Sequence, residues 1–463
     1  MREFDVVIIG AGPGGYVSAI RAAQLGAKVA VIERNKIGGT CLNWGCIPTK
    51  ALYYSARALE AARHASDFGV NVGEVSFDLA KAVDRKDGVV KKLVGGIEQL
   101  LKGNKVEVIR GDGFVEAAGR VRVTKADGVE ELSCKSIIIA TGSEPALIPA
   151  FNIDRKNVLT STEMLDIKKV PSSLLVIGGG VMGCEFASMF SSFGSKVMIV
   201  ELLPTILSTE DKMVSRVIAK RYKETGVEVL TEVQVESVKA EGGQVKTTLK
   251  DGREFITEKV MVAIGRSFNS VGIGLDKLGV AMEKGRVSVD DRMETSVKGI
   301  YAIGDVTGKM LLAHVASVQG IVAANNAMGK DARMDYSVIP AGIFTDPEIA
   351  SVGMREKEAE AKGITVAVGR FPYAASGKAM GMGETEGFVQ IVSDPATDKV
   401  LGCSIVGAHA TDLIGEVALA MKTGATVKDI AETIHAHPTL PEIVMEAAED
   451  VHGMAIHKIG RKK

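Results

Sequence analysis

The chain of 463 residues has no apolar run of the roughly 18 residues that a membrane span requires. It is poor in cysteine, with five residues, an odd number that points away from a disulfide framework. It has no surplus of either charge, since 56 Lys and Arg stand against 57 Asp and Glu. That balance gives nucleic acid or another polyanion nothing to bind. The terminal Arg461, Lys462 and Lys463 read as a solvated chain end rather than a docking patch. Met1-Arg2-Glu3-Phe4-Asp5 runs straight into a strand pattern and leaves no room for a leader. The expectation is a cytoplasmic protein with no membrane or nucleic-acid partner. In such a reducing compartment a disulfide is usually catalytic or redox-sensing. The length allows about three domains, and 46% hydrophobic residues supply ample core.

What the chain does have is glycine in two matching arrangements. Val6-Val7-Ile8-Ile9 reads as a buried strand and leads into Gly10-Ala11-Gly12-Pro13-Gly14-Gly15. An apolar helix pattern follows and stops at Gly26; a second strand ends in Glu33. Gly10 makes the tight turn, Gly12 lets a pyrophosphate reach the backbone, and Gly15 lets helix and strand pack closely. Glu33 can accept from a ribose hydroxyl. The unit recurs at Leu174-Leu175-Val176-Ile177 and Gly178-Gly179-Gly180-Val181-Met182-Gly183, and ends in Glu201. First glycine and acid are 23 residues apart in both copies (10 to 33, 178 to 201). Two dinucleotides are therefore expected. Glu201 would repel a 2′-phosphate, and no Arg or Lys stands between it and Lys212, so NAD is favoured over NADP on the second unit.

Strand-and-glycine turns close the units, at Thr141-Gly142-Ser143 and at Ile264-Gly265-Arg266. A third turn holds Gly304-Asp305. Asp305 reads equally as an acceptor for a polyol hydroxyl and as a cap for the coming helix.

Cys41 and Cys46 follow directly on the first fingerprint, in Gly-Gly-Thr-Cys-Leu-Asn-Trp-Gly-Cys-Ile-Pro-Thr-Lys at 38–50. Within one regular helix their Cα atoms would be roughly 8.5 Å apart, beyond the ~7 Å reach of a disulfide. The backbone must leave the helical path between them, with Gly45 as the flexible point. Pro48 suits the first turn of a helix beginning there. Cys46 would then sit at a helix N-terminus, where a thiolate is favoured. That leaves Cys41 as the exchange thiol toward substrate. Cys134, Cys184 and Cys403 read as inert core residues.

Thiol–disulfide exchange needs a proton acceptor, and histidine suits that work near neutral pH. Of His64, His314, His409, His435, His437, His452 and His457, only His437 has a rigid frame, His437-Pro438-Thr439-Leu440-Pro441-Glu442. Glu442 could hold one of its ring nitrogens. His435 stays open between a supporting and a chemical role. His437 lies about 390 residues from the cysteines. Either its domain folds back onto its own redox pair or it reaches a second subunit.

Together these motifs resemble the two-dinucleotide flavoprotein disulfide reductases, the pyridine nucleotide-disulfide oxidoreductase family. The resemblance runs over essentially the whole chain. It also rests on Leu312-Ala313-His314 and on His435 to Glu442. It implies an α/β fold with two Rossmann-like dinucleotide-binding domains and an α+β C-terminal dimerisation domain. The boundaries expected are 1–149 for FAD, 150–275 for NAD, 276–342 for a segment completing the FAD site, and 343–463 for the interface domain. Carried over by matching position, FAD takes Gly10, Gly12, Gly15, Glu33, Lys50, Gly113, Thr141, Gly142, Ser143, Asp305, Leu311, Leu312, Ala313 and His314. NAD takes Gly178, Gly180, Gly183, Glu201, Val233 and Gly265. The resemblance further implies a Lys50–Glu185 ion pair near the flavin; alone, Lys50 reads as a solvated helix charge. It implies a catalytic set of Cys41, Cys46, His437, Glu442, Lys50 and Glu185, and a homodimer whose His437 serves the other copy's disulfide. The activity implied is FAD-dependent oxidation of dihydrolipoyl groups with NAD as acceptor, the substrate being a lipoyl-bearing protein domain or H-protein of a 2-oxo acid dehydrogenase or glycine cleavage complex. Asp346 stands where many relatives have histidine. The rivals are a glutathione-type reductase, which Glu201 opposes, and a mercuric reductase, which would carry a vicinal cysteine pair beyond Cys403. A flavin-binding sensor without turnover would need no base at His437.

Overall fold

The structure, a computed structural model, describes residues 1–459; the reading of Arg461 to Lys463 falls outside the described residues. The chain forms two compact units, one of residues 1–149, 159–169 and 264–335, the other of 150–158, 170–263 and 336–463.

In the first unit, Arg2–Ile9 pairs in parallel with Val29–Glu33 on one side and Gly128–Ile139 on the other. Its residues Val6, Val7 and Ile8 are wholly buried, which is why they form a continuous apolar run rather than an alternating one. Glu107–Arg110 extends the sheet beyond Val29–Glu33, while Ile300–Ala302 pairs with Gly128–Ile139 in parallel. The helix Pro13–Gln24 follows the first glycines and packs along the helix Ala313–Ala327. The two touch through glycine: a Cβ on Gly320 would lie 2.6 Å from the Gly14 carbonyl oxygen.

The second unit repeats the arrangement. Ser173–Ile177 pairs in parallel with Lys196–Val200 and with Lys259–Val262, and Glu228–Leu230 pairs beyond Lys196–Val200. The repeat holds at the level of register. Ile9 faces Ile32 and Ile177 faces Val200, an offset of 23 in each case (32 − 9 and 200 − 177). The same unit carries a five-stranded antiparallel sheet in the order Ala341–Ile343, Ile349–Gly353, Val400–Val406, Phe388–Ser393, Ala367–Pro372. The helices Ala410–Thr423 and Pro441–Val451 cover it. Leu413, Ile414 and Val417 on the first, and Ile443, Val444, Ala447 and Ala448 on the second, are packed into that core. Burying each Leu, Ile or Val contributes about 1.5–3 kcal/mol, which fixes the platform that carries His437. No helix among the described residues is long and apolar enough to cross a membrane.

Candidate active site

The two glycine turns superpose in their bonding. Gly10 donates its N–H to Ile32 O at 2.8 Å, and Gly178 donates to Val200 O at 2.9 Å. Both have positive φ, +104° and +107°. A Cβ on Gly15 would fall 1.9 Å from the Gly10 carbonyl oxygen, and one on Gly183 1.9 Å from that of Gly178. Packing alone therefore requires these glycines. It does not require Gly12 or Gly180. A Cβ on Gly12 would meet nothing nearer than 4.0 Å, and one on Gly180 nothing within 4 Å. Both sit at helix N-caps with no side-chain cap, where unpaired N–H groups and the helix dipole favour an anion. Open space beside an uncapped helix start fits a pyrophosphate at each cradle.

The two acids fasten their glycine turns. Glu33 accepts from the Ala11 N–H through Oε2 at 2.8 Å and from the Asn35 N–H through Oε1 at 2.7 Å. Glu201 repeats this with Gly179 at 2.5 Å and Leu203 at 2.7 Å. Each carboxylate is buried and ties the glycine turn to the loop after its own strand. Each oxygen keeps a lone pair for a hydroxyl. Val233 lies beside Glu201, its N–H on the Glu201 carbonyl oxygen at 3.0 Å. Gly265 belongs to the first unit, with φ +127° and its carbonyl accepting from the Ala146 N–H at 3.0 Å.

In the first unit the other expected residues gather around Asp305. Its Oδ2 accepts from the Ser143 hydroxyl at 2.5 Å, with the Arg266 Nε 3.7 Å away. Arg266 also donates to the Ser143 Oγ at 2.6 Å and carbonyl at 2.7 Å. The helix-cap reading of Asp305 is overturned. The helix Ala313–Ala327 has Leu312 as its N-cap, and Asp305 sits in the short turn Gly304–Thr307 before it. Asn269, unforeseen from sequence, bonds Thr141 twice: its carbonyl accepts from Thr141 Oγ1 at 2.7 Å, and its Nδ2 donates to the Thr141 carbonyl at 3.0 Å. Its N–H also reaches the Gly142 carbonyl at 3.0 Å. Arg266 was equally unforeseen; a cation directly after the closing glycine was the available signal. Leu311, Leu312, Ala313 and His314 form the start of the helix Ala313–Ala327. Gly113 stands against Ile9, 3.0 Å from where its Cβ would be.

The cysteine pair sits where the backbone breaks. A short helix, Gly39–Asn43, ends at Trp44, and a second, Cys46–Arg63, begins two residues later. Gly45 allows the join: a Cβ there would be 3.0 Å from the Thr40 carbonyl oxygen and 3.4 Å from the Cys41 Cα. Asn43 ties the loop back by donating to the Ile37 and Gly39 carbonyls at 3.0 and 2.9 Å. Cys41 is half-buried and Cys46 exposed, both as thiols. The hydrogen bond to the Cys46 side chain, with burial second, pushes the Cys41 thiol well above its ordinary range; Lys50 pulls the other way. Burial first, and then the charge of Cys41, raise the Tyr16 phenol, so Tyr16 is a neighbour of Cys41 that the sequence did not reveal. Burial pushes Cys134 and Cys184 up to about 12 and raises Cys403 as well, which keeps all three protonated and inert. In the second unit Glu185 is buried, with Oε1 accepting from the Phe344 N–H at 2.9 Å. Asp346 pairs with Arg221 at 2.6 Å.

His437 stands 79% exposed, with Nδ1 2.8 Å from Glu442 Oε1. The other Glu442 oxygen accepts from the Thr439 N–H at 2.7 Å. Burial opposes the charge on Glu442, but the Thr439 N–H and His437 outweigh it and hold the carboxyl below its usual range. Glu442 is thus an anchored anion that fixes the tautomer with Nδ1 protonated, and Nε2 is left to handle a proton. His435, two residues earlier, has a buried ring bonded at both nitrogens, to Thr433 O at 2.7 Å and Glu416 Oε1 at 2.8 Å.

Two dinucleotide cradles, a thiol pair at a helix start and a carboxylate-held histidine define a dinucleotide-dependent thiol–disulfide oxidoreductase. The pyridine nucleotide-disulphide oxidoreductase model matches residues 4–320, and the dimerisation-domain model of the same name matches residues 339–448. The chain belongs to the pyridine nucleotide-disulphide oxidoreductase family, whose cofactors are FAD and NAD. It is 44% identical over 461 residues to the dihydrolipoyl dehydrogenase of Geobacillus stearothermophilus, covering 99% of this chain and 98% of that one. It is 43% identical to that of Bacillus subtilis, covering 98% and 99%. Among solved structures it resembles LpdA of Mycobacterium tuberculosis, with 30% identity, a TM-score of 0.91 and coverage of 97% and 99%. It also resembles the HOCl-induced flavoprotein disulfide reductase RclA of Escherichia coli, with 29% identity, a TM-score of 0.87 and coverage of 96% and 99%.

Proposed function

We propose that the chain oxidises protein-bound dihydrolipoyl groups to lipoyl with NAD+ as electron acceptor. The observation that carries this reading is the near-complete, 44% identical match to a dihydrolipoyl dehydrogenase in a chain that holds Cys41, Cys46 and a Glu442-anchored His437. The cradle at Gly10, Gly12, Gly15 and Glu33, with Lys50, Gly113, Thr141 to Ser143, Asp305 and Leu311 to His314, would hold FAD. The cradle at Gly178, Gly180, Gly183, Glu201 and Val233, with Gly265, would hold NAD.

His437 Nε2 takes a proton from one substrate thiol. The resulting thiolate attacks the Cys41 sulfur of the Cys41–Cys46 disulfide; the new bond is a mixed disulfide and Cys46 leaves as thiolate. The second substrate thiol gives its proton to solvent, and its thiolate attacks the substrate sulfur of that mixed disulfide. This closes the lipoyl ring and releases Cys41, which His437 reprotonates. The raised Cys41 thiol explains why this sulfur leaves readily only with a proton donor at hand. FAD, when bound, supplies the redox relay that returns the dithiol to disulfide and hands its electron pair to NAD+. The match of residues 339–448 to a dimerisation domain supports a homodimer in which the base of one copy serves the cysteine pair of the other. For Lys50 and Glu185 the family implies tuning of the flavin. The sparse cysteines support a cytoplasmic location.

The test is a steady-state assay with dihydrolipoamide and NAD+. Reduction of NAD+ dependent on bound FAD is expected. Turnover confined to glutathione disulfide and NADPH would overturn the reading.

A further inference from the structure

Every histidine of the chain's last 60 residues has a carboxylate against it, yet one differs from the rest. His409, His437, His452 and His457 are 57, 79, 39 and 71% exposed at the side chain, whereas His435 is 6% exposed. Its ring is bonded at both nitrogens, Nδ1 to the Thr433 carbonyl at 2.7 Å and Nε2 to Glu416 Oε1 at 2.8 Å. A carbonyl and a carboxylate only accept, so both bonds are made when the ring donates at both nitrogens, as the imidazolium does.

We propose that His435 is a positioning residue for His437: a charged strut that ties the loop carrying the base to the helix Ala410–Thr423. This rests on the reading of His437 as the base. Thr433 lies in the strut's own segment, while Glu416 belongs to the packed helix, so the two bonds join the loop to a rigid element. Two residues further on, the His437 ring is held by Glu442, and Thr439 Oγ1 closes the turn onto the Ala436 carbonyl at 2.6 Å. The charged groups that face His435 are Glu416 from Ala410–Thr423 and Glu442 from Pro441–Val451, with His437 beside it in the loop. Loss of one ring proton breaks one of the two bonds that join the loop to the helix. The loop then loosens and the base drifts from its working position.

Two variants separate charge from geometry. In Glu416→Gln the carboxamide can donate to the Nε2 of a neutral ring while Nδ1–H keeps Thr433, so the strut survives uncharged. His435→Ala removes it. The first measurement is 15N-histidine NMR of the FAD holoenzyme. One ring protonated at both nitrogens is expected in the wild type, and none in Glu416→Gln or His435→Ala. The second is the pH profile of dihydrolipoamide oxidation. His435→Ala should lower kcat about 10- to 100-fold with KM within about twofold, as for a displaced catalytic group. Glu416→Gln should keep most of kcat. A neutral His435 ring in the wild type overturns the proposal, and so does a His435→Ala enzyme with wild-type kcat. Should His435→Ala fail to fold, the wild-type spectrum and the Glu416→Gln profile decide. If His437→Gln retains full turnover while the His435 signals stand, the fault lies with His437 as base and not with the strut.

Discussion

Cys41 is hydrogen-bonded to the Cys46 side chain across the backbone break at Trp44 and Gly45. The bond is the largest cause of the raised Cys41 thiol, and burial adds to it. Removing Cys46 must therefore bring Cys41 down. In Cys46→Ala the pH midpoint for alkylation of Cys41, followed by peptide mass spectrometry, should fall below that of reduced wild type. An unchanged midpoint would show that burial alone sets the thiol.

His437→Gln should lower kcat/KM for dihydrolipoamide by roughly 10² to 10⁴, the range for a lost acid–base group. FAD content, read from absorbance, should not change. A loss under about tenfold would remove His437 from the proton path.

The lowered Glu442 carboxyl carries a stability signature. A group whose folded pKa is depressed stabilises the fold above its unfolded value, about 4.3, and loses that contribution as pH falls through the folded value. Thermal melts of wild type and Glu442→Gln should differ by a constant amount above about pH 5 and converge as pH falls through the depressed folded value. Convergence on the alkaline side instead would mean that His437, not Glu442, governs the pair.

The twin cradles can be disabled separately. Gly183→Ala places a methyl 1.9 Å from the Gly178 carbonyl oxygen and leaves the first unit untouched. The purified variant should keep its FAD absorbance and lose NAD-linked turnover by at least about tenfold, the scale set by a distortion of about 1.4 kcal/mol. Gly15→Ala makes the same contact with Gly10 and should yield protein without flavin.

Much of this was visible in the amino-acid order. The fingerprints were legible because turn glycine, helix pattern and strand-end acid are local signals, and the 23-residue spacing became the strand register itself. The Cys41–Cys46 break followed from helix geometry, and Glu442 lies only five residues from His437. Partners remote in sequence were not legible. Asp305 looked like a possible cap because its real partner, Ser143, is 162 residues away. Arg266 lies 123 residues from the Ser143 hydroxyl it bonds. His435 is the same case: its ring bonds Glu416, 19 residues away on the helix Ala410–Thr423.

Glu201 has a consequence for how cofactor preference could change. Its two oxygens close the glycine turn through Gly179 and the following loop through Leu203, so the side chain fastens the cradle. Replacing it with a small residue to admit a 2′-phosphate would free the Leu203 N–H and leave the buried Gly179 N–H unpaired at a cost of about 1–3 kcal/mol. A route toward NADP thus has to supply a new fastener before it removes the old one. Nicotinamide choice in this chain is guarded by the integrity of a loop as much as by the repulsion of a charge.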